Sequence, residues 1–348
     1  MLCVLAQGPA RAVEQNPMPG ELPNGPADEL RLCARQQDPP DDRIKHCDTA
    51  LGSRELGEIQ DSVGFNYRGL AWLAKGDHER AGKDLDEAIR LNPDYASAYN
   101  SRGIVRSQMG EYGKAIEDYD TALRLKPGYA YAYANRGSAW LGNGSPDKAI
   151  ADFDTAIGLL PAAHAELAYK GRGMAWQARG DLDRAMADFD AALKQNPNYA
   201  KGLVSRAYGH LARGGFEAAA ADFTQVQKDN PDPYLAIGLT LALARGGLPI
   251  ADQIDRYRKS FGNDAWPGPV MAMLAGEITP EQLFAKTADG KPKIQRERSC
   301  TARFYVGEWY LQRKDKVRAR SELRRARDEC SLSTPEYAIA GSELARMD

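Results

Sequence analysis

The chain carries almost no net charge, −2 over 348 residues, so no global field draws it to nucleic acid. It lacks any apolar run near the ~18 residues that a membrane helix needs. Histidine is scarce. His46, His78, His164 and His210 show no ligand spacing and no C-x-x-C occurs, which argues against structural zinc. Catalytic signatures are missing too: there is no G-x-S-x-G and no H-E-x-x-H. Ser145 to Lys148 matches S-x-x-K only across a turn inside a repeated unit. Gly171-Arg172-Gly173 lacks the third glycine and the preceding strand of a dinucleotide loop. These absences predict a non-enzyme with no cofactor and no metal.

What the chain does have is a repeat. Units begin at Ser62, Ala96, Ala130, Glu166 and Ala200, a 34-residue spacing with one two-residue insertion near Ala163. Glycine holds the eighth place (Gly69, Gly103, Gly137, Gly173), replaced by Ala207 in the fifth unit. Gly76, Gly110, Gly144, Gly180 and Gly214 hold the fifteenth place, and Ala81, Ala115, Ala149, Ala185 and Ala219 the twentieth. Pro93, Pro127, Pro161, Pro197 and Pro231 close the units. Two apolar stripes at helical spacing flank a glycine turn, so each unit reads as an antiparallel helix hairpin. Small residues at places eight and twenty let the two backbones approach, beside Leu85, Tyr119, Phe153, Phe189 and Phe223. Proline, without an amide hydrogen, stops the second helix.

A register of this kind resembles the tetratricopeptide repeat (TPR) family. The resemblance implies an all-α fold, a superhelical solenoid of antiparallel hairpins whose concave face binds proteins or peptides. Around the five repeats (62–95, 96–129, 130–163, 166–199 and 200–233) the chain is less regular. Residues 1–26 read as a truncated signal peptide, with Ala10-Arg11-Ala12 as a cleavage-like pattern, followed by a proline-rich linker. Residues 27–57 read as a capping hairpin, 234–296 as a divergent helical segment, and 297–348 as a TPR-like hairpin plus a capping helix. Between these last two parts, "ADGKPKIQRER" (288–298) is expected to be a polar crossing.

Four cysteines fall in two local pairs. Cys33 and Cys47 flank the turn "QDPPDD", while Cys300 and Cys330 stand at the first and thirty-first places of a sixth repeat-like unit. The two ends of an antiparallel hairpin lie side by side, so each pair can reach the ~5.5 Å Cα separation of a disulfide. Bridges imply an oxidising compartment; buried free thiols are the alternative.

Trp266-Pro267, "MLAGEITPEQLF", "ARFYVGEWYL", "ARSELRRARDEC" and "PEYAIAGSEL" resemble the C-terminal half of the new lipoprotein I family, envelope TPR adaptors of Gram-negative bacteria. That resemblance implies a periplasmic scaffold docking peptidoglycan hydrolases and a processing protease, with homodimerisation a further implication. The run Met1 to Cys3 is too short to hold a lipobox, so the visible N-terminus does not support a lipid anchor. The rival reading is a cytoplasmic TPR co-chaperone or regulatory module.

Two sets of residues are candidate sites. Arginine stands at place seven (Arg68, Arg102, Arg136, Arg172, Arg206) and aspartate at place twenty-three (Asp84, Asp118, Asp152, Asp188, Asp222). A guanidinium fork suits a carboxylate, so a ladder of structural ion pairs is expected, with a ligand-binding arginine row as the alternative. The second aspartates, Asp86, Asp120, Asp154 and Asp190, should point elsewhere on the helix. Places two, five, nine and twelve should line the groove, with Asn66, Asn100, Tyr131, Met174 and Tyr208 as the leading protein-binding residues. Whether the groove is open or filled by the chain's own C-terminal helices stays undecided by sequence. The one basic stretch, with Arg313, Lys314, Lys316, Arg318 and Arg320, reads as a solvated helix face or an anion-binding patch.

Overall fold

In the computed structural model, residues 25–161, 164–229 and 231–348 are described. The expected signal and linker, and the two-residue insertion near Ala163, lie essentially outside them. The described residues form nineteen helices and no strand. Contacts divide the chain into two units that meet at Leu160 and Pro161 in sequence.

In the first unit, α1 (Pro26–Cys33) and α2 (Pro40–Gly52) form the capping hairpin. Three repeats follow as α3 (Glu58–Ala74) with α4 (His78–Leu91), α5 (Ala96–Gln108) with α6 (Tyr112–Leu125), and α7 (Ala130–Gly142) with α8 (Pro146–Leu159). Each hairpin packs on the next, and the first helices α3, α5 and α7 also touch one another. The second unit begins with α9 (Glu166–Arg179) and α10 (Leu182–Gln195), then α11 (Ala200–Arg213) and α12 (Phe216–Asp229). The divergent stretch gives α13 (Pro233–Arg245), α14 (Ala251–Phe261), α15 (Gly268–Leu274) and α16 (Pro280–Ala285). A last hairpin, α17 (Pro292–Gln312) and α18 (Lys316–Glu329), is followed by α19 (Pro335–Met347).

Local chemistry explains these boundaries. The fifteenth-place glycines turn the chain in the left-handed region, Gly144 for instance at φ 81°, a conformation that costs glycine little. Aspartate often follows at place sixteen, where the side chains of Asp77, Asp181 and Asp315 accept from the amides of Arg80, Arg184 and Arg318 and cap the second helices. In the last hairpin Lys314 stands where the repeats have glycine, and it adopts φ 62°. The seam is tight: a Cβ on Gly137 would lie 3.2 Å from both the Ala149 carbonyl oxygen and the Phe153 ring. Leu85, Tyr119, Phe153, Phe189, Phe223 and Leu323 fill equivalent places and are buried to within 1%.

One boundary differs from expectation. The polar crossing is helical from Pro292 on, so α17 starts eight residues before Cys300. Proline at the first helical position and the helix-favouring run Lys293 to Arg298 account for this extension.

Both cysteine pairs are bridged. Cys33–Cys47 ties α1 to α2 with Cα atoms 4.9 Å apart, and Cys300–Cys330 ties α17 to the end of α18 at 5.0 Å. Buried Arg43 fastens the capping hairpin to the first repeat by donating to the carbonyls of Cys33 and Tyr67.

Candidate binding faces of the repeats

The arginine–aspartate ladder comes first because it sets the spacing of the helices that carry the inner faces. In every repeat the place-seven arginine grips the place-twenty-three aspartate of its own hairpin with two N–H groups. Arg136 donates through Nε to Asp152 Oδ2 at 2.8 Å and through Nη2 to Oδ1 at 2.7 Å. Arg68–Asp84, Arg102–Asp118, Arg172–Asp188 and Arg206–Asp222 repeat this fork. These aspartates are nearly enclosed, with Asp118 only 3% exposed. Their hydrogen bonds push the guanidinium groups of Arg68, Arg136 and Arg206 still further above the ordinary arginine range.

The third nitrogen has a second task that sequence reading missed. Nη1 of Arg102 reaches Asp86, that of Arg136 reaches Asp120, and that of Arg206 reaches Asp190, each on the preceding repeat. Arg68 makes the same reach to Asp48 of the capping hairpin. One guanidinium therefore joins two helices within a hairpin and a third from its neighbour. The arginines also lie over aromatic rings one turn earlier, Phe65, Tyr99, Tyr133 and Tyr169, at 5.2–5.6 Å. The arginine at place seven and aromatics at place four could have revealed this from sequence, as could the D-x-D spacing.

Of the places expected to line the groove in the first unit, Leu70, Leu73, Ile104 and Tyr131 are partly exposed. Asn66 is fully buried and neither of its amide atoms is hydrogen-bonded. Asn100, 2% exposed, accepts from Nδ2 of Asn135 across to α7 at 3.0 Å. The two asparagines are thus more enclosed than these apolar side chains.

The inner face of the second unit is covered by the chain itself. The C-terminal helix α19 packs on α11 and touches α9. Arg346 of α19 donates to the Ala212 carbonyl at 2.6 Å. Tyr208 stacks edge-on to Phe223 at 5.0 Å, and its hydroxyl is driven far above the usual tyrosine range by burial, then by the carboxylate of Glu336 on α19. Met174 is half-buried beside Phe189. Arg245 holds α19 in place through a buried cluster, bonding Glu308 of α17 and Glu343 of α19. Burial raises the Glu308 carboxyl well above its ordinary range.

The basic stretch is largely tied into the fold. Arg313 covers the Trp309 ring at 3.5 Å, Arg318 pairs with Asp315, and Arg320 pairs with Asp348. No described helix is long and apolar enough to cross a membrane, and no described group of three His, Cys, Asp or Glu is placed to hold a metal.

Sequence models described as tetratricopeptide repeat match residues 100–164 and 166–199, and one described as TPR repeat matches 69–110. The repeats are tetratricopeptide repeats. No curated protein sequence matches the chain. Among solved structures, it is similar to PilW, described as a widely conserved type IV pilus biogenesis factor. The identity is 18%, with 57% of this chain and 93% of that chain covered and a TM-score of 0.54. It is also similar to Pseudomonas aeruginosa PilF, at 16% identity, 59% and 93% coverage and a TM-score of 0.51. At these identities the likeness establishes the TPR fold.

Proposed function

We propose that this TPR protein is a non-catalytic adaptor of the bacterial periplasm that captures protein or peptide partners on the inner face of its first three repeats. The observation that carries the proposal is the row of partly exposed Leu70, Leu73, Ile104 and Tyr131, set on helices whose spacing the ion-pair ladder fixes. Apolar side chains around an aromatic anchor suit an extended or partly folded protein segment. The two cysteine bridges support an oxidising compartment. The resemblance of the C-terminal half to new lipoprotein I extends the proposal to its partners, peptidoglycan hydrolases or an envelope protease. It also extends to a homodimer, which sedimentation equilibrium of the purified chain reads directly.

Affinity purification from envelope extract, comparing wild type with Tyr131→Ala, tests the docking. Recovery of a hydrolase or protease by wild type, reduced about tenfold or more by the substitution, is the expected result. Equal recovery by both proteins would remove the inner face from the account.

A further inference from the structure

The last hairpin departs from the five repeats at three places in and after its turn. Where they carry glycine it has Lys314, at φ 62° in a region that favours glycine. Where four of them carry an acid (Glu79, Asp147, Asp183 and Glu217) it has Val317. Where four carry an aspartate (Asp86, Asp120, Asp154 and Asp190) it has Arg324. An acidic ridge thereby becomes a basic one. Val317, Ser321, Arg324 and Asp328 follow at helical spacing on the side of α18 opposite buried Ala319, Leu323 and Ala326. Lys316, Val317, Arg320, Ser321, Arg324 and Arg325 line one open depression. The side chains of Lys314, Lys316 and Arg324 are exposed and make no hydrogen bond or ion pair with a described residue. Arg320 is held by Asp348 and the Met347 carbonyl, and Arg325 by Glu322 at 3.3 Å. Asp328 is the exposed acid at the far end of the ridge. Among these cations Val317 is 82% exposed, more than any other large apolar side chain among the described residues.

We propose that this ridge of α18 docks on an anionic lipid surface. The free cations stand in the open and no buried donor lies beside them, so nothing encloses a single small anion. From Lys316 to Arg324 they extend along about 12 Å of helix, a row suited to several negative groups at once. Val317 decides between a lipid surface and a soluble polyanion. A bilayer sets negative headgroups over an apolar layer, so it attracts the flanking cations and also takes up the valine. A soluble polyanion offers the valine nothing. Lys314 fits the same reading, because a left-handed residue that is not glycine is retained where function requires its side chain. The ridge shares no residue with the inner face of repeats one to three, so either reading can fail alone.

Vesicle flotation of the full chain tests this, with mixed phosphatidylglycerol and phosphatidylcholine vesicles against pure phosphatidylcholine. Binding to the anionic vesicles alone is expected at an ionic strength of about 0.1 M, and its loss at about 0.5 M, where charges are screened within a few ångströms. Lys314→Gly and Lys316→Ala should each weaken binding about fivefold, and Arg324→Glu at least tenfold, with circular dichroism melting showing the fold retained. Val317→Ser should weaken vesicle binding about threefold and leave binding to heparin unchanged. Lys45→Glu makes the same charge reversal at an exposed position of the capping hairpin and should have no effect. Equal binding to both kinds of vesicle, binding to heparin without binding to anionic vesicles, or equal losses from Lys45→Glu and Arg324→Glu would each overturn the proposal.

Discussion

Removing Arg136 tests the ladder where its geometry is most complete. The Asp152 side chain is 9% exposed and receives two charge-assisted hydrogen bonds from Arg136, while Asp120 receives one and is 54% exposed. Breaking a buried pair from one side strands a carboxylate in a poor solvent, at a cost of roughly 3–5 kcal/mol. Arg136 is itself 21% exposed, so some water can reach the vacated place, and about 3 kcal/mol is expected for Arg136→Met. Asp120→Ala breaks only a solvated pair and should cost about 0.5 kcal/mol. Arg136→Met combined with Asp152→Leu leaves no orphaned charge and should recover most of the loss, to within about 1 kcal/mol of wild type. Urea titrations give the differences, provided that the slope m is unchanged. Hydrogen exchange should place the loss in α7 and α8, because repeats couple mainly to their neighbours. If Arg136→Met and Asp120→Ala proved equally mild, the fork to Asp152 would contribute little and the ladder argument would fail.

Other expectations follow from individual residues. Gly137→Leu forces a side chain into the Phe153 ring and the Ala149 carbonyl, and should cost about 1–3 kcal/mol in a denaturant titration. Lys314→Gly relieves a left-handed residue at the place where the repeats use glycine; it should stabilise the second unit by about 1 kcal/mol, and a loss of stability would refute the strain. Reducing the Cys33–Cys47 and Cys300–Cys330 bridges should remove about 3 kcal/mol each, as seen in melting curves with and without reductant, and non-reducing peptide mass spectrometry should find both links. Lys170 titrates near 7 when folded against 10.5 when free, so the folded chain binds fewer protons between those values. Stability should therefore rise with pH across this window, by up to about 1.4 kcal/mol per unit, with the cost fully present below pH 7. Lys170→Met should flatten that slope, and an unchanged slope would show that the ammonium is not held buried.

The repeats were legible because one template imposes the same chemistry five times. Glycine at places eight and fifteen, alanine at twenty and proline at thirty-two each mark a contact or a boundary that does not depend on distant residues. The pairing of Arg68 with Asp84 and its counterparts was readable for the same reason, since both residues keep their register. The reach of Arg102 to Asp86 was missed because it links different repeats, and a single-unit template is silent on what the next unit brings close. The packing of α19 over α11 was undecided because no period relates the two helices; it rests on tertiary contacts such as Arg346 with the Ala212 carbonyl. The burial of Lys170 on α9 was hidden for a related reason. A lysine at a groove position looks solvated in sequence, and only burial without a partner marks it out.

The central claim is capture of a protein partner on the inner face of repeats one to three. A photo-crosslinking amino acid placed at Tyr131 on α7, with exposed Thr155 on the outer helix α8 as the control position, tests it in cells. The account predicts discrete crosslinked bands from Tyr131, identified by mass spectrometry as an envelope hydrolase or protease, and none from Thr155. Crosslinks from Thr155 with none from Tyr131 would place partners on the outer helices and contradict the account.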